Sequence, residues 1–475
     1  MSREAAVARA AAFHDGGGFR DLLARLVAIP STSQDAGHEA DLARYLDAGL
    51  RPWLERLGFR VEIHPNPVPG AGPILLAERR EAAGPTILTY GHGDTVRGLA
   101  EGWSAGLDPW RLTERDGRWY GRGSADNKGQ HAINLAALEA VIAERGGRLG
   151  FSLVLLIETG EEQGSPGLRA FVEAHRDRLR ADALIASDGP RVASTVPTLS
   201  TGTRGSYHFT LAVRLRAGGV HSGNWGGMTP DPAIVLAHAL ASICDRRGRI
   251  LVRDWVPAAI PPAVRAALRG CEMVAEGEAA TIDRDWGEPG LTLAERVYAW
   301  TSFIVLAMVS GRPENPVNAV APDARAHCQI RYTVDSDPAG FMPALRRHLD
   351  AAGFSEVAIE DDAGVRMAAS RTSPDDPWVK RVAGSLARTL GRPVQLIPNS
   401  GGGLPGDVFV DLLGTPLCWV PHSYNGCKQH GPDEHLLPAV AREGLRGFAG
   451  LWWDLGDGEE TLVGATGIEP VTLRV

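Results

Sequence analysis

The sequence of 475 residues predicts an α/β protein with a mixed, largely parallel sheet, interrupted by an inserted α+β domain. Strand-like and helical segments alternate from residue 59 to residue 187, and the run 151–157 is almost wholly apolar, as in a strand buried on both faces. Near Thr198 the segments begin to alternate apolar and polar residues, which is typical of a sheet with one solvated face. The α/β pattern then returns. We therefore predict an insert over 197–370 and a first domain made of 1–196 and 371–475.

The individual elements follow from the spacing of apolar residues. Before the insert, this spacing predicts helices over 21–27, 39–57 and 130–143 and strands over 59–63, 86–90, 151–157 and 183–187. Within the insert, it predicts strands over 206–215 and 324–334 and helices over 231–243 and 341–352. The most apolar helical pattern, over 298–309, is too short to span a bilayer. After a linker over 370–377, the spacing predicts helices over 378–390 and 438–453, strands over 394–397 and 416–420, and a loose tail from Leu462.

The composition argues against several classes of protein. A net charge of −8 offers no basic surface for nucleic acid or an anionic membrane. The first residues include charged side chains and contain no long apolar run, so we expect no signal peptide. Five scattered cysteines form no disulfide framework, which favours a reducing compartment. We expect a cytoplasmic protein with no nucleic-acid partner and no membrane partner.

The loop 121–129 is the most distinctive stretch of the chain. It delivers one carboxylate, Asp126, directly before a predicted helix. Its glycines Gly121, Gly123 and Gly129 suggest backbone conformations or close approaches that a Cβ would obstruct. Taken alone, the loop is equally compatible with an ordinary turn before a core helix. Its meaning depends on the polar residues predicted to lie near Asp126.

Acidic and imidazole side chains follow three predicted strands. The first strand is followed by His92 and Asp94, the second by Glu161 and Glu162, and the third by Asp188. Because ligands bind outside the carboxyl ends of the strands in open α/β sheets, these side chains can converge with Asp126. So many carboxylates in one crevice require a compensating cation. Imidazole and carboxylate ligands without thiolate suit zinc, cobalt or manganese.

A later candidate ligand is His430, and other interpretations of these residues stay open. A histidine after a strand is often a capping or core residue, although Asp94 can bind the other ring nitrogen of His92 and so favours it as a ligand. Adjacent glutamates often mark a solvated loop. Cys427, His430 and His435 could form a local metal knuckle, but no second pair completes a tetrahedral set. The glycine-rich run 400–406 is not a phosphate loop, because no Gly-Lys-Ser/Thr follows it.

Taken together, these motifs resemble the M20 family of co-catalytic zinc peptidases and amidohydrolases. The resemblance rests on His92-Gly-Asp94, the loop at Asp126, the segment 160–165, Asp188 and the segment 430–434, in that order. It implies a zinc-peptidase-like catalytic domain, with the insert acting as a lid and dimerisation domain. It also implies a metal-dependent hydrolase of an amide or peptide bond in a dipeptide or an N-acyl amino acid.

The resemblance further implies a two-metal centre with two divalent ions, zinc or else cobalt or manganese. It assigns His92 and Asp188 to one ion, Glu162 and His430 to the other, and Asp126 to a bridge between them. It makes Asp94 the partner that orients His92, and Glu161 the general base and acid. The peptide bond after Asp126 resembles one that is cis in the family.

Three residues of the insert gain possible roles from the resemblance. His221 lies in a segment similar to the family's lid motif, in which the histidine reaches the active site of the partner subunit, so a homodimer is implied. Arg331 and Asn318 resemble lid residues that hold a substrate carboxylate. The alternatives are an exposed strand arginine and a residue that caps a loop.

One segment departs from the family pattern. Many dipeptidase-type relatives carry Arg-Glu before Gly-Gly-Ser-Ile-Pro, whereas this chain has NSGGGLP over 399–405. The contacts of that arginine and serine are therefore not expected, although Gly402 and Gly403 can still bring backbone N–H groups to the substrate. Two alternative functions remain: a C–N hydrolase of a non-peptide substrate, and a non-catalytic binding protein on the same scaffold. The second alternative is disfavoured because Glu161 and all five ligand positions are intact.

Overall fold

The computed structural model describes residues 1–277 and 281–457. Within those ranges, helices α1 to α15 span Arg3–Asp15, Gly18–Val27, Glu39–Arg44, Arg51–Arg56, Lys128–Glu144, Leu168–Ala174, Arg176–Leu179, Ser222–Trp225, Pro232–Ile243, Pro262–Ala267, Leu293–Tyr298, Phe341–Ala351, Pro377–Leu390, Gly406–Leu413 and Pro438–Gly456. Strands β1 to β21 span Arg60–His64, Ile74–Arg79, Thr86–His92, Thr113–Arg115, Arg118–Tyr120, Ser152–Glu158, Ala183–Ala186, Pro190–Arg191, Thr198–Ser200, Gly202–Thr203, Gly205–Arg214, Val220–His221, Ser302–Ser310, Ala319–Val320, Asp323–Tyr332, Ala358–Met367, Ser370–Arg371, Gln395–Ile397, Leu417–Trp419, Ser423–Tyr424 and His435–Leu436.

The larger sheet has eight strands in the order β1-β2-β6-β3-β7-β19-β9-β18. Its centre, from β6 to β19, is parallel, whereas β1 and β2 run antiparallel at one edge. Helices α1, α2, α5, α13 and α15 bury one face of the sheet, and α6 and α14 bury the other. Strand β6 is buried along its whole length, as expected of an apolar strand covered on both faces. The predicted mixed α/β sheet is confirmed.

The insert is built on a separate antiparallel sheet with the order β13-β15-β11-β16. Strands β11 and β15 pair from Gly205↔Tyr332 to Arg214↔Asp323. Alternate residues of β11, including Phe209 and Leu211, pack with α9 and α12 in a core of their own. The residues between them, such as His208, face the other way, because side chains alternate along a strand. The inserted α+β domain is confirmed, and its boundaries at 196/197 and 370/371 stay predictions.

The chain enters and leaves the insert at adjacent points. Strand β10 pairs antiparallel with β17, and Thr372 donates its backbone N–H to the carbonyl oxygen of Thr201 at 2.7 Å. Ser400, in the glycine-rich run, forms a bridge with Thr203 on the same side. The glycine-rich run therefore lies directly beside the two crossings.

The helical pattern predicted over 298–309 is wrong. Helix α11 ends at Tyr298, and Ser302–Ser310 forms the edge strand β13, which pairs with β15. An unbroken apolar run fits either element, and β-branched residues such as Ile304 and Val305 favour the strand.

Several other segments differ from the sequence analysis. The helix predicted over 39–57 is divided into α3, a π-helical turn over Tyr45–Leu50 and α4, where Pro52 has no N–H to donate. Helix α1 and strands β2 and β16 were not predicted. The tail predicted from Leu462 lies outside the described residues. Among the helices of the described part, none combines the length and the apolar character that a bilayer crossing needs.

Candidate metal centre

The loop that carries Asp126 is held in place by Glu434. One carboxylate oxygen of Glu434 accepts hydrogen bonds from the backbone N–H groups of Ala125 and Asp126, at 2.9 and 3.0 Å. The other oxygen accepts from the N–H of Gly123 at 3.0 Å and from Arg122 Nη1 at 2.7 Å. Both members of the Arg122–Glu434 ion pair are buried. The backbone of the loop is thereby fixed just before α5 begins.

A buried polar network supports the loop from behind. The peptide bond between Asp126 and Asn127 is cis, as the resemblance implied. The side chain of Asn127 donates to the carbonyl oxygen of Ser187 at 2.8 Å, and its Oδ1 lies 3.0 Å from His131 Nδ1. The other ring nitrogen of His131 lies 2.6 Å from the hydroxyl of Tyr45. This network ties the loop to the end of β7.

His92 ends β3 and is completely buried. Its Nδ1 lies 3.1 Å from the carbonyl oxygen of Asp94 and 3.4 Å from the carboxylate of the same residue. Asp94 also accepts hydrogen bonds from the hydroxyl of Ser33 and from the backbone N–H groups of Glu161 and Glu162. With Nδ1 engaged in this way, Nε2 is the ring nitrogen left to bind a ligand. Asp94 therefore orients His92 and also holds the turn that carries both glutamates.

Five of the predicted residues meet in two groups that share Asp126. His92, Asp126 and Asp188 each offer a ligand atom, and these atoms lie within 4.8 Å of one another; the same is true of Asp126, Glu162 and His430. Asp126 Oδ1 lies 3.2 Å from His92 Nε2, and its Oδ2 lies 3.2 Å from His430 Nε2. A single carboxylate thus faces two imidazoles with one oxygen each, which is the arrangement that a bridging ligand requires.

The charge of this cluster fits bound cations. Burial raises the pKa of Asp188 to about 7. It also raises the pKa of Glu162 and that of Glu161, and the carboxylates nearby add to both effects. Glu162 Oε1 and Asp188 Oδ2 are buried without a hydrogen-bond partner. Buried carboxylate oxygens without donors are costly unless a cation compensates them. The set of two imidazoles and three carboxylates therefore suits two divalent metal ions such as zinc.

A cleft of about 850 Å³ between the two domains is lined by four residues of the cluster, namely Asp126, Glu162, Asp188 and His430. The first domain also contributes Gly402 and Gly403 to this cleft. The insert contributes polar residues of β11 and β15, namely Ser206, His208, Gln329 and Arg331. Burial lowers the pKa of Arg331, whose Nε donates to Gln329 Oε1 at 3.2 Å. No carboxylate among the described residues pairs with its guanidinium, which leaves a cation available across the cleft from the acidic cluster.

His221 and Asn318 lie away from this cleft. His221 is in β12, which pairs with β14, and the N–H of Ser222 donates to the carbonyl oxygen of Asn318 at 3.0 Å. Both residues are exposed, and neither lines the cleft of its own chain. Their predicted roles stay predictions.

The predicted alternative of a local knuckle around Cys427 does not form. Cys427 is buried in a small apolar cluster, and His435 Nε2 lies 2.8 Å from the hydroxyl of Tyr424. In residues 1–277 and 281–457, the only groups of three or more potential ligands are the two that share Asp126.

Several supporting residues of the site are not identifiable from local sequence patterns. Glu434 belongs to a recognised motif, yet its contacts lie more than 300 residues away in the chain, so no local pattern indicates them. Gln429 Nε2 donates to Asp126 Oδ2 at 3.2 Å, and its position next to His430 was the only available hint. Ser206 and His208 could have been found, because the predicted alternation of β11 separates its polar face from its apolar face.

The comparisons with known proteins agree with this geometry. The family model for peptidase family M20/M25/M40 matches residues 88–454. The chain belongs to this peptidase family. It is 32% identical over 360 residues to a cysteinylglycine-S-conjugate dipeptidase of Corynebacterium striatum, an alignment that covers 74% of this chain and 76% of the relative. It is 26% identical over 402 residues to a beta-Ala-His dipeptidase of Rattus norvegicus, covering 81% and 80% of the two chains.

A solved structure shows the same fold. The crystal structure of human carnosine dipeptidase 1 matches with a TM-score of 0.78 and 23% identity, over 95% of this chain and 99% of that one. As a member of the M20 family with dipeptidase homologues, the chain is a metal-dependent hydrolase of peptide bonds. The predicted enzyme class is confirmed.

Proposed function

We propose that this protein is a dipeptidase that works with two divalent metal ions. The observation that carries the proposal is Asp126, which is shared by two ligand groups and turns one oxygen towards each imidazole. His92 and Asp188 would hold one ion, and Glu162 and His430 the other. Such ions, zinc or else cobalt or manganese, lower the pKa of a water molecule and polarise the scissile carbonyl.

Glu161 is the proposed general base. Its carboxylate lies 4.0 Å from His92 Nε2, yet it belongs to neither ligand group, so it is free to move protons. Its backbone N–H is bound by Asp94, which fixes the turn at the acidic cluster. Burial raises its pKa, which suits a group that takes a proton from the attacking water and returns it to the leaving amine.

Arg331 is the proposed anchor for the substrate carboxylate. A guanidinium binds carboxylates through paired hydrogen bonds, and this one faces the cleft without a carboxylate partner among the described residues. A dipeptide offers its scissile carbonyl to the metal centre and its terminal carboxylate to Arg331. Gly402 and Gly403 line the same cleft, where their backbone N–H groups can meet the substrate. The two dipeptidase relatives favour a dipeptide. An N-acyl amino acid, which carries the same two groups, is the second candidate.

We propose that the protein forms a homodimer through the insert. The edge strand β13 exposes an apolar row that includes Leu306, 52% exposed, and Met308, 46% exposed. An exposed apolar edge strand is a strong site for pairing with another chain. His221 and Asn318, exposed on the same domain, would then reach the partner's cleft. There His221 would donate a hydrogen bond to the oxyanion, and Asn318 would contact the substrate carboxylate.

The direct test is a hydrolysis panel. Purified protein would be assayed with dipeptides and with N-acetyl, N-succinyl and N-carbamoyl amino acids, in the presence of zinc, cobalt, manganese or a chelator. We expect dipeptides to be cleaved fastest, chelation to abolish cleavage, and elemental analysis to find about two metal ions per chain. Cleavage of N-carbamoyl substrates alone would indicate a C–N hydrolase of non-peptide substrates. Metal-loaded protein that binds dipeptides and cleaves nothing would indicate a binding protein.

A further inference from the structure

One row of residues crosses the insert sheet at the cleft. In this row, Met367 of β16 lies opposite Ser206 of β11, Ser206 lies opposite Arg331 of β15, and Arg331 lies opposite Ser302 of β13. Met367, Ser206 and Arg331 all line the cleft. Met367 is therefore two strands from the proposed carboxylate anchor, or about 10 Å between backbones.

Gly403 brings the first domain against this row. A Cβ added to Gly403 would lie 2.8 Å from Met367 Sδ and 3.5 Å from Arg331 Nη1. The glycine therefore allows a close approach, because a Cβ at this position would force the end of the Met367 side chain to move. Leu404, the next residue, lines the cleft as well and is largely buried. The surface beside Arg331 thus combines the apolar side chains of Met367 and Leu404 with glycine backbone and with Ser206, which lies between Met367 and Arg331 in the row.

Met367 also separates the cleft from a second cavity. This side cavity, of about 270 Å³, is lined by residues that include Ser165, Arg169 and Asp407. Arg169 and Asp407 form an ion pair there at 2.6 Å. Met367 lines both the cleft and the side cavity, so its side chain stands between them.

We propose that Met367 is a specificity-determining residue that contacts the side chain of the substrate's carboxyl-terminal residue and selects apolar side chains of moderate size. The proposal rests on the proposed function, because it takes Arg331 to hold the terminal carboxylate. With that carboxylate on Arg331, the side chain of the same residue extends along the wall of the cleft towards Met367. A polar side chain would lose hydration against Met367 and Leu404, because these two side chains offer it no hydrogen bond in return. A very large side chain would clash with the side chain of Met367.

Two variants of Met367 separate polarity from size. Met367→Gln keeps the length of the side chain but makes it polar, and Met367→Ala opens the cleft towards the side cavity. Met273→Gln is the matched control, because Met273 is a half-buried methionine that packs in a different cluster and does not line the cleft. The measured quantity is kcat/KM for Ala-Leu, Ala-Asn and Ala-Trp. Ratios of kcat/KM between substrates are compared within each variant. A preparation in which only part of the protein is active therefore gives the same ratio, because both values fall by the same factor.

We expect the wild type to prefer Ala-Leu over Ala-Asn, and Met367→Gln to reduce that preference by about tenfold or more, the scale of one apolar contact in a pocket. Met367→Ala should raise the ratio of Ala-Trp to Ala-Leu, and Met273→Gln should leave both ratios unchanged. The proposal is overturned if both Met367 variants cleave Ala-Leu with both ratios within twofold of wild type, and the dipeptidase proposal then still stands. If the wild type cleaves no dipeptide with any of the metals, the proposed function fails and the role of Met367 fails with it.

Discussion

Replacing Glu434 with glutamine tests how the loop that carries Asp126 is held. Glu434 is buried and receives four hydrogen bonds, two on each carboxylate oxygen. Burial raises its pKa, and the neighbouring Arg122 opposes that rise. Glutamine has nearly the same size and keeps one oxygen as an acceptor. Its amide group, however, would face two donors, Arg122 Nη1 and the N–H of Gly123.

The expected cost follows from what remains buried. Arg122 stays charged and loses its only carboxylate partner among the described residues. Removing one partner of a buried ion pair costs about 3–5 kcal/mol, because the other charge is left uncompensated. The N–H of Gly123 also loses its acceptor, and a buried unsatisfied donor costs about 1–3 kcal/mol. We therefore expect Glu434→Gln to lower the free energy of unfolding by at least about 3 kcal/mol.

Urea unfolding followed by tryptophan fluorescence measures this loss. A chelator in every sample prevents metal release from contributing to the difference. The control is Asp15→Asn, which removes the partner of Arg442 from an ion pair at 2.7 Å whose two side chains are 41% and 49% exposed. An exposed pair is screened by solvent, so no measurable shift of the unfolding midpoint is expected. A loss below about 1 kcal/mol for Glu434→Gln, similar to a surface pair, would refute the reasoning.

Three other predictions concern the metal centre and the dimer. Glu161→Gln should slow turnover by about 10²- to 10⁴-fold with normal metal content, whereas Glu162→Gln should lower the metal content; equal metal loss and equal residual activity in both would contradict the assignment. Chelation should lower the melting temperature, because ligand at 100 times its Kd stabilises the folded state by about 2.7 kcal/mol, and calorimetry showing no change would argue against bound metal. His221→Ala should slow turnover by about 10²- to 10³-fold while metal stays bound. Mixing its subunits with Glu161→Gln subunits should restore partial activity, and verified heterodimers without any recovery would exclude a role for His221 across the interface.

The sequence predicts the acidic cluster well because strand order fixes it. His92 is the last residue of one strand of the sheet, Glu161 and Asp188 come just after two others, and the carboxyl ends of parallel strands meet at the same edge. A pattern of a few residues is enough to find such positions. The proposed partition of roles between Glu161 and Glu162 came from the resemblance and not from the pattern itself.

The walls of the cleft are not predictable in the same way. Gly403 contacts Met367 only because the glycine-rich run bridges to the crossing at Thr203. Strand β13 illustrates a second limit, since an unbroken apolar run gives no periodicity that separates a strand from a helix. Its exposure depends on its place at the edge of the insert sheet, which is a property of the assembled sheet and not of the segment.

The pairing of β10 with β17 has a consequence for the modularity of the chain. Paired antiparallel strands hold their backbones about 5 Å apart, so the two ends of the insert are as close as the two ends of a hairpin. A domain with adjacent ends can be added to a host, or removed from it, without stretching the host chain. On the host side, β9 and β18 flank the crossings and pair with each other in parallel. A two-residue turn that joins Thr201 to Thr372 would therefore preserve the strand order of the eight-stranded sheet.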